Sequence, residues 1–143
     1  MDQSSMEFWQ QHSSRFLKMV FQSDKRESLQ HPDGYGKATR ECGDTIEIFL
    51  IIRHGAIRSA SFQSHGCIYS IACANALVSL VEGKTLEEAW QITPDAIIDY
   101  LETLPKEESH CAILAVRALH AALMDTREVE RQPWKKFYPR KER

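Results

Sequence analysis

No apolar stretch in this 143-residue chain is longer than the six residues Cys111 to Val116, against the roughly 20 that a bilayer-spanning helix needs. No membrane span is therefore expected. The first seven residues, Met1 to Glu7, hold two acids and no base, and no apolar segment follows them in the manner of a secretory signal. A cytoplasmic, reducing setting is the expectation. Glycine (6) and proline (5) are sparse and no fixed period recurs, which excludes collagen-like, low-complexity and repeat architectures. None of the four cysteines forms a Cys-x-x-Cys pair. In a reducing compartment they read as thiols, metal ligands or redox groups ahead of disulfides.

What is present is ordinary for one small domain: 43% hydrophobic and 27% charged residues, with 18 Lys and Arg against 20 Asp and Glu. A chain of this size buries roughly two thirds of its unfolded surface and can build a core without staples. Charge is unevenly placed, however. Residues 1 to 126 carry 11 basic and 17 acidic side chains, whereas residues 127 to 143 carry 7 and 3. The tail from Arg131 interleaves bases with Trp134, Phe137 and Tyr138, a pattern that can stack on single strands. With no RNA-binding motif and a net negative chain, nucleic acid is not the expected partner. The tail reads instead as a flexible end, or one packed on its own acidic domain.

Ser4 and Glu7 have capping-box spacing, and Trp9, Phe16 and Val20 recur at helical intervals, so an N-terminal helix to about residue 22 is expected. His31-Pro32-Asp33-Gly34 is a turn cluster, with a short first strand over 37–41. Thr45 to Arg53 alternates in strand fashion, and His54-Gly55 turns it into a second run, Ala56 to Ser64. Ile68 to Val81 is apolar nearly all round, the mark of a buried helix closed by Gly83. Thr85 with Glu88, and Thr93 before Pro94, are further helix starts, Pro105 is a stop, and a last helix is expected from about Glu107 to Thr126. A hairpin followed by helices gives an α+β domain with helices on one face of a small antiparallel sheet.

Three cysteines sit where backbone geometry favours an exposed thiolate. Cys42 lies in Glu41-Cys42-Gly43-Asp44, where Gly43 permits a turn that could aim Cys42 and Asp44 at one point. Cys67 follows Gly66 at the start of the buried helix, and His110-Cys111 opens the last one. Helix N-termini lower thiol pKa, so Cys67 and Cys111 are expected in the metal-binding or nucleophilic form. Cys73 is different: six residues on, it lies about 120° round the helix from Cys67 and about 9 Å along it, and reads as a buried packing residue. Three thiolates with a carboxylate or imidazole suit zinc or an iron-sulfur cluster. By spacing alone, isolated core thiols remain the alternative. His65 reads as a loop residue facing solvent and His54 as a turn residue, while His12, His31 and His120 have no evident partners.

Taken together, Gly34-Tyr35-Gly36, Cys42-Gly43-Asp44, Ser61 to Cys67, Gly83 to Ala89, and Leu104-Pro105 with His110-Cys111 resemble the IscU/NifU family of iron-sulfur cluster scaffolds. The resemblance runs over about residues 31–126, leaving 1–30 as N-terminal helix and linker and 127–143 as basic tail. It implies a three-stranded antiparallel sheet of the SufE/NifU-like fold and a binding rather than enzymatic role. It implies that Cys42, Cys67 and Cys111 hold a transient [2Fe-2S] cluster, with Asp44 and His110 as candidate fourth ligands. Iron, a cysteine desulfurase delivering sulfur to Cys42 or Cys111, an iron donor and apo iron-sulfur acceptor proteins are the implied partners. Zinc in the isolated protein and a homodimer are both compatible with it. Departures from the pattern are Ile68 for the usual Gly, Arg40-Glu41 before the first cysteine, and Leu104-Pro105-Lys106-Glu107-Glu108 in place of Leu-Pro-Pro-x-Lys. They suggest a bacterial NifU-like subgroup. The rival reading is a zinc-dependent SufU-type sulfurtransferase, in which an insertion separates the second and third cysteines and the His before the third is usually absent.

Overall fold

The computed structural model of the chain describes residues 12–41 and 43–137. Elements run in the order α1 (Ser14–Phe21), β1 (Gly34–Thr39), β2 (Thr45–Arg53), β3 (Ala56–His65), α2 (Ile68–Val81), α3 (Leu86–Trp90), α4 (Pro94–Leu101) and α5 (Ser109–Arg131). Short 3-10 turns at Lys106–Glu108 and Pro133–Phe137 flank α5. The three strands form one antiparallel sheet in the order β1-β2-β3, the α+β architecture expected from the sequence.

Alternation in the strands decides which face is covered. Ala38, Ile46, Ile48, Leu50, Ala60 and Phe62 point into the core, joined there by Leu77 and Val78 of α2 and by Leu114, Leu119 and Leu123 of α5. Each large apolar side chain fully withdrawn from water contributes about 1.5–3 kcal/mol. The β2-β3 turn has positive φ at both His54 (54°) and Gly55 (76°), the geometry that matches strand twist in a two-residue hairpin. On the edge of the sheet, β1 presents Gly34 and Gly36 to α5, where a Cβ at Gly36 would fall 2.8 Å from the carbonyl carbon of Ala121. Absence of side chains is what lets the helix lie directly on this strand. The adjoining Tyr35 N–H donates to buried Asp125 of α5 at 2.9 Å.

Several boundaries differ from the sequence reading. The first strand is Gly34–Thr39 rather than 37–41, because Gly34-Tyr35-Gly36 pairs with Leu50-Phe49-Ile48. Glycine is a poor strand former in isolation, but here packing on α5 requires it. The last helix starts at Ser109 and runs on to Arg131, past Thr126. Helix α4 ends at Leu101, ahead of Pro105, where Glu102 adopts φ 67°. The Ser4 and Glu7 capping box lies outside the described residues. The described helix α1 is capped by Ser13, whose Oγ accepts from the Phe16 N–H at 3.1 Å.

Helix α2 is central, and buried Asn75 ties it to α1 by donating to the carbonyls of Met19 (2.7 Å) and Gln22 (2.9 Å). The tail packs on its own domain as far as Phe137. Lys136 pairs with Asp33 at 2.9 Å, Lys135 pairs with Glu128, and the Phe137 ring lies 5.2 Å from His31. Among the described residues no helix is long and apolar enough to cross a membrane.

Candidate metal centre

Three chain segments meet at one end of the sheet. Thr45 pairs with His65 at the last rung of β2 and β3, so the residues just beyond, Asp44 and Gly66, stay side by side. A Cβ at Gly66 would lie 3.2 Å from both Cγ and Oδ1 of Asp44 and 3.1 Å from Oγ of Ser70. The loop before Asp44 is closed by Arg40 N–H on the Asp44 carbonyl (2.8 Å) and Gly43 N–H on the Arg40 carbonyl (2.9 Å), with Gly43 at φ 99°. Cys42 lies outside the described residues.

Cys67 is the exposed N-cap of α2, and Cys111, in the first turn of α5, is fully buried. Between them sits buried Ser70, whose hydroxyl donates to Cys111 Sγ at 3.5 Å and lies 3.9 Å from Cys67 Sγ. Glu108 completes the group: its Oε2 accepts from Cys111 Sγ at 3.8 Å. The donor atoms of Cys67, Glu108 and Cys111 all lie within 4.8 Å of one another. His110 is beside this group rather than in it, with Nε2 3.6 Å from Glu108 Oε2. Asp44 approaches from the Gly66 side.

The expectation that the helix start would acidify Cys111 is overturned. Its thiol is pushed up to about 12, first by burial and then by the negative charge of Cys67 and Glu108, while the Ser70 hydroxyl pulls the other way. Desolvation of a thiolate outweighs the field of a helix terminus. Cys73 is fully buried and is raised further still by the same cause, in keeping with a packing role. Tyr69 has its hydroxyl raised by burial and then by Glu108 and Cys67. It stands between the site and α1, its ring 5.8 Å from Phe16, on which His12 stacks at 4.3 Å.

The other histidines have ring partners that the sequence did not suggest: His31 meets Phe137, and His120 stacks on Trp90 at 4.6 Å. His65 closes β3 and is largely exposed, 4.0 Å from Glu47. Sequence reading passed over Ser70 and Glu108. The signal available was spacing, since Cys67 with Ser70 and Glu108 with Cys111 are both i, i+3 pairs at helix starts, which face one another.

Two thiols, a carboxylate and an adjoining aspartate at the mouth of an α+β sheet define a class of small thiolate-site domains suited to zinc, ferrous iron or a cluster. The chain belongs to the NifU-like N terminal domain family, whose model matches residues 23–132. It is 37% identical over 98 residues to iron-sulfur cluster assembly scaffold protein IscU 1 of Archaeoglobus fulgidus, an alignment covering 68% of this chain and 64% of that protein. It is 33% identical over 90 residues to nitrogen fixation protein NifU of a Nostoc species, covering 62% of this chain and 30% of that one. The chain thus spans less than two thirds of the length of these relatives. The identities give the expected NifU-like subgroup no preference over the IscU branch. Among solved structures the fold is shared with the SUF-system protein FiSufU of Fervidobacterium islandicum (TM-score 0.65, 17% identity, 80% of this chain and 97% of that one). A NifU-like N-terminal protein of Brucella abortus shares it too (TM-score 0.63, 18% identity, 84% and 94%).

Proposed function

We propose that this chain is a scaffold on which iron-sulfur clusters are built and from which they are passed on. One observation carries the reading: cysteines 44 positions apart in sequence converge, with Cys67 at the mouth of the site and Cys111 at its floor, and carboxylates flank both. Cys42, Cys67 and Cys111 are the proposed thiolate ligands of a transient [2Fe-2S] cluster, with Asp44 or His110 in the fourth position. The chemistry suits a product that must leave. Four thiolates hold a cluster firmly, whereas a carboxylate is a harder and weaker donor to iron and leaves one position exchangeable. Sulfur would come from a cysteine desulfurase and iron from a donor, and the finished cluster would pass to apo acceptor proteins. Zinc is expected to fill the site in protein isolated aerobically, because bare affinity favours it over ferrous iron.

The test is anaerobic incubation with ferrous iron, cysteine, a desulfurase and dithiothreitol; of the four electrons that reduce two sulfane sulfurs to sulfide, the two ferrous ions give two and dithiothreitol gives two. A [2Fe-2S] absorption and Mössbauer spectrum is expected, abolished by Cys42→Ser, Cys67→Ser or Cys111→Ser and kept by Cys73→Ala. Failure to form any cluster, with a single zinc accelerating the desulfurase instead, gives the case to the SufU-type sulfurtransferase.

A further inference from the structure

Helix α5 is buried along one side and open along the other. Its exposed apolar and basic residues fall on a single line: Ile113 (50% exposed), Arg117, Met124 (52%), Arg127 and Arg131. Their spacings of 4, 7, 3 and 4 residues, at about 100° per residue, keep every one within about 40° of the direction of Ile113. With a rise of about 1.5 Å per residue they make a strip about 27 Å long. Half-buried His120 lies on the same line and stacks on Trp90 at 4.6 Å, and the Arg127 guanidinium sits over that indole at 5.5 Å. Charge on the strip runs against the rest of the chain. Residues 1 to 126 hold 11 basic and 17 acidic side chains, yet no acid occurs from Ser109 to Met124. Among the described residues neither Arg117 nor Arg131 has an ion-pair partner. Glu128, at the edge of the strip, is taken by Lys135.

We propose that this strip docks an acidic protein surface, one with carboxylates interleaved among apolar side chains, and that the partner is an acceptor protein. The inference rests on the scaffold reading only in calling the partner an acceptor. Ile113 lies two residues, about 3 Å of rise, beyond Cys111, so one end of the docked surface stands beside the thiol site. Arginine, methionine and tryptophan are the residues that protein interfaces concentrate, and buried Arg and Trp contacts carry much of the binding energy. Unpaired arginines on an otherwise acidic chain steer an acidic partner to this face and repel basic ones. A second copy lying face to face would set arginine against arginine, because such a contact pairs a patch with itself. A nucleic acid would meet a net negative chain, with Ile113 and Met124 standing between the bases that neutralise phosphate. An anionic membrane calls for a continuous apolar face to sink among the lipids, whereas the strip exposes two large apolar side chains. About 27 Å by one helix width of about 10 Å is small for a permanent interface and suits a partner that docks and leaves.

The test is binding of a fluorescently labelled acidic apo-ferredoxin to the full, cluster-free chain, followed by anisotropy at low and high salt. The parent should bind, and more weakly as salt rises. Arg117→Glu with Arg131→Glu should weaken binding at least tenfold at low salt with unchanged circular dichroism, and Met124→Ala at least threefold. The same two charges reversed on the hairpin, Arg53→Glu with Arg58→Glu, both exposed, should leave binding within threefold. Equal loss in the two double variants reduces the effect to net charge and overturns the proposal, as does a parent that does not bind or whose binding ignores salt. Sedimentation of the parent, and its binding to phosphatidylserine vesicles and to a single-stranded oligonucleotide, examine the other occupants. A parent dimer dissolved by Arg117→Glu, or vesicle or oligonucleotide binding in place of ferredoxin binding, also overturns it. Cluster assembly separates this from the scaffold reading. A parent that builds a cluster while Arg117→Glu with Arg131→Glu binds the ferredoxin as the parent does sinks only the strip. A parent that builds no cluster but binds the ferredoxin through the strip sinks only the scaffold.

Discussion

Replacing Gly36 by alanine drives a methyl group into the backbone of α5. The new Cβ would lie 2.8 Å from the carbonyl carbon of Ala121 and closer still to the Ala122 nitrogen and the Ala118 oxygen, whereas ordinary Cβ contacts begin near 3.4 Å. All three atoms belong to the main chain, so no side-chain rotation relieves the overlap. Strand β1 and α5 must separate by about 1 Å along their length. Overpacking of this kind costs about 1–3 kcal/mol and more where backbone must move, so Gly36→Ala is expected to lose about 3 kcal/mol. That is a large part of the total stability of about 5–15 kcal/mol typical of a domain. Urea denaturation of parent and variant, with unchanged slope, measures it directly. The effect should reach the site, because α5 carries Cys111 in its first turn. Gly36→Ala should therefore also weaken zinc. Gly83→Ala is the control: there a Cβ meets nothing within 4 Å, and only the positive φ of 87° is strained, at about 1 kcal/mol. A Gly36→Ala protein within about 0.5 kcal/mol of the parent would refute the close-packing argument.

Three further outcomes follow from particular contacts. Asn75→Ala removes both bonds to the carbonyls of Met19 and Gln22; the cost is expected near 2 kcal/mol, with hydrogen exchange in residues 14–21 rising before that of α2. Alkylation of the metal-free protein at pH 8, mapped by peptide mass, should modify exposed Cys67 well before Cys111 and leave Cys73 last, since burial holds both slower thiols protonated; equal labelling of Cys67 and Cys111 counts against the buried floor. The Cys111 thiol keeps its proton to about 12 in the fold but ionises near its ordinary value of 9.0 when unfolded. Between those values the unfolded chain binds fewer protons, so its stabilising contribution, full below about pH 9, falls as pH rises. Denaturation at pH 8 and pH 10 should accordingly show a smaller alkaline loss in Cys111→Ala than in the parent.

Much of the fold is legible in local pattern. The even apolar coating of Ile68 to Val81 marks both ends of α2, and alternation from Thr45 marks β2 to Arg53. Helical geometry alone separates Cys73 from Cys67, because six residues of rise and rotation are fixed by the backbone. The site was legible as motifs: Cys-Gly-Asp, Gly-Cys and His-Cys name the segments that converge, and the register of β2 on β3 explains why Asp44 reaches Gly66. Sequence pattern failed where packing overrides local preference. Gly34 and Gly36 look like turn residues until α5 is laid across them, and the rings that shelter His31 and His120 come from distant parts of the chain.

By itself, then, the sequence determined the hairpin, the buried helix, the family and the placing of Cys67 and Cys111 at helix starts, since periodicity and spacing are properties of neighbours along the chain. Only the tertiary structure decided the chemical state and company of those cysteines. Whether a helix start acidifies a thiol depends on how much water reaches it, and Cys111 is sealed beneath Ser70 and Glu108. Desolvation and the meeting of donors from two helix ends are long-range facts, fixed by how the core closes.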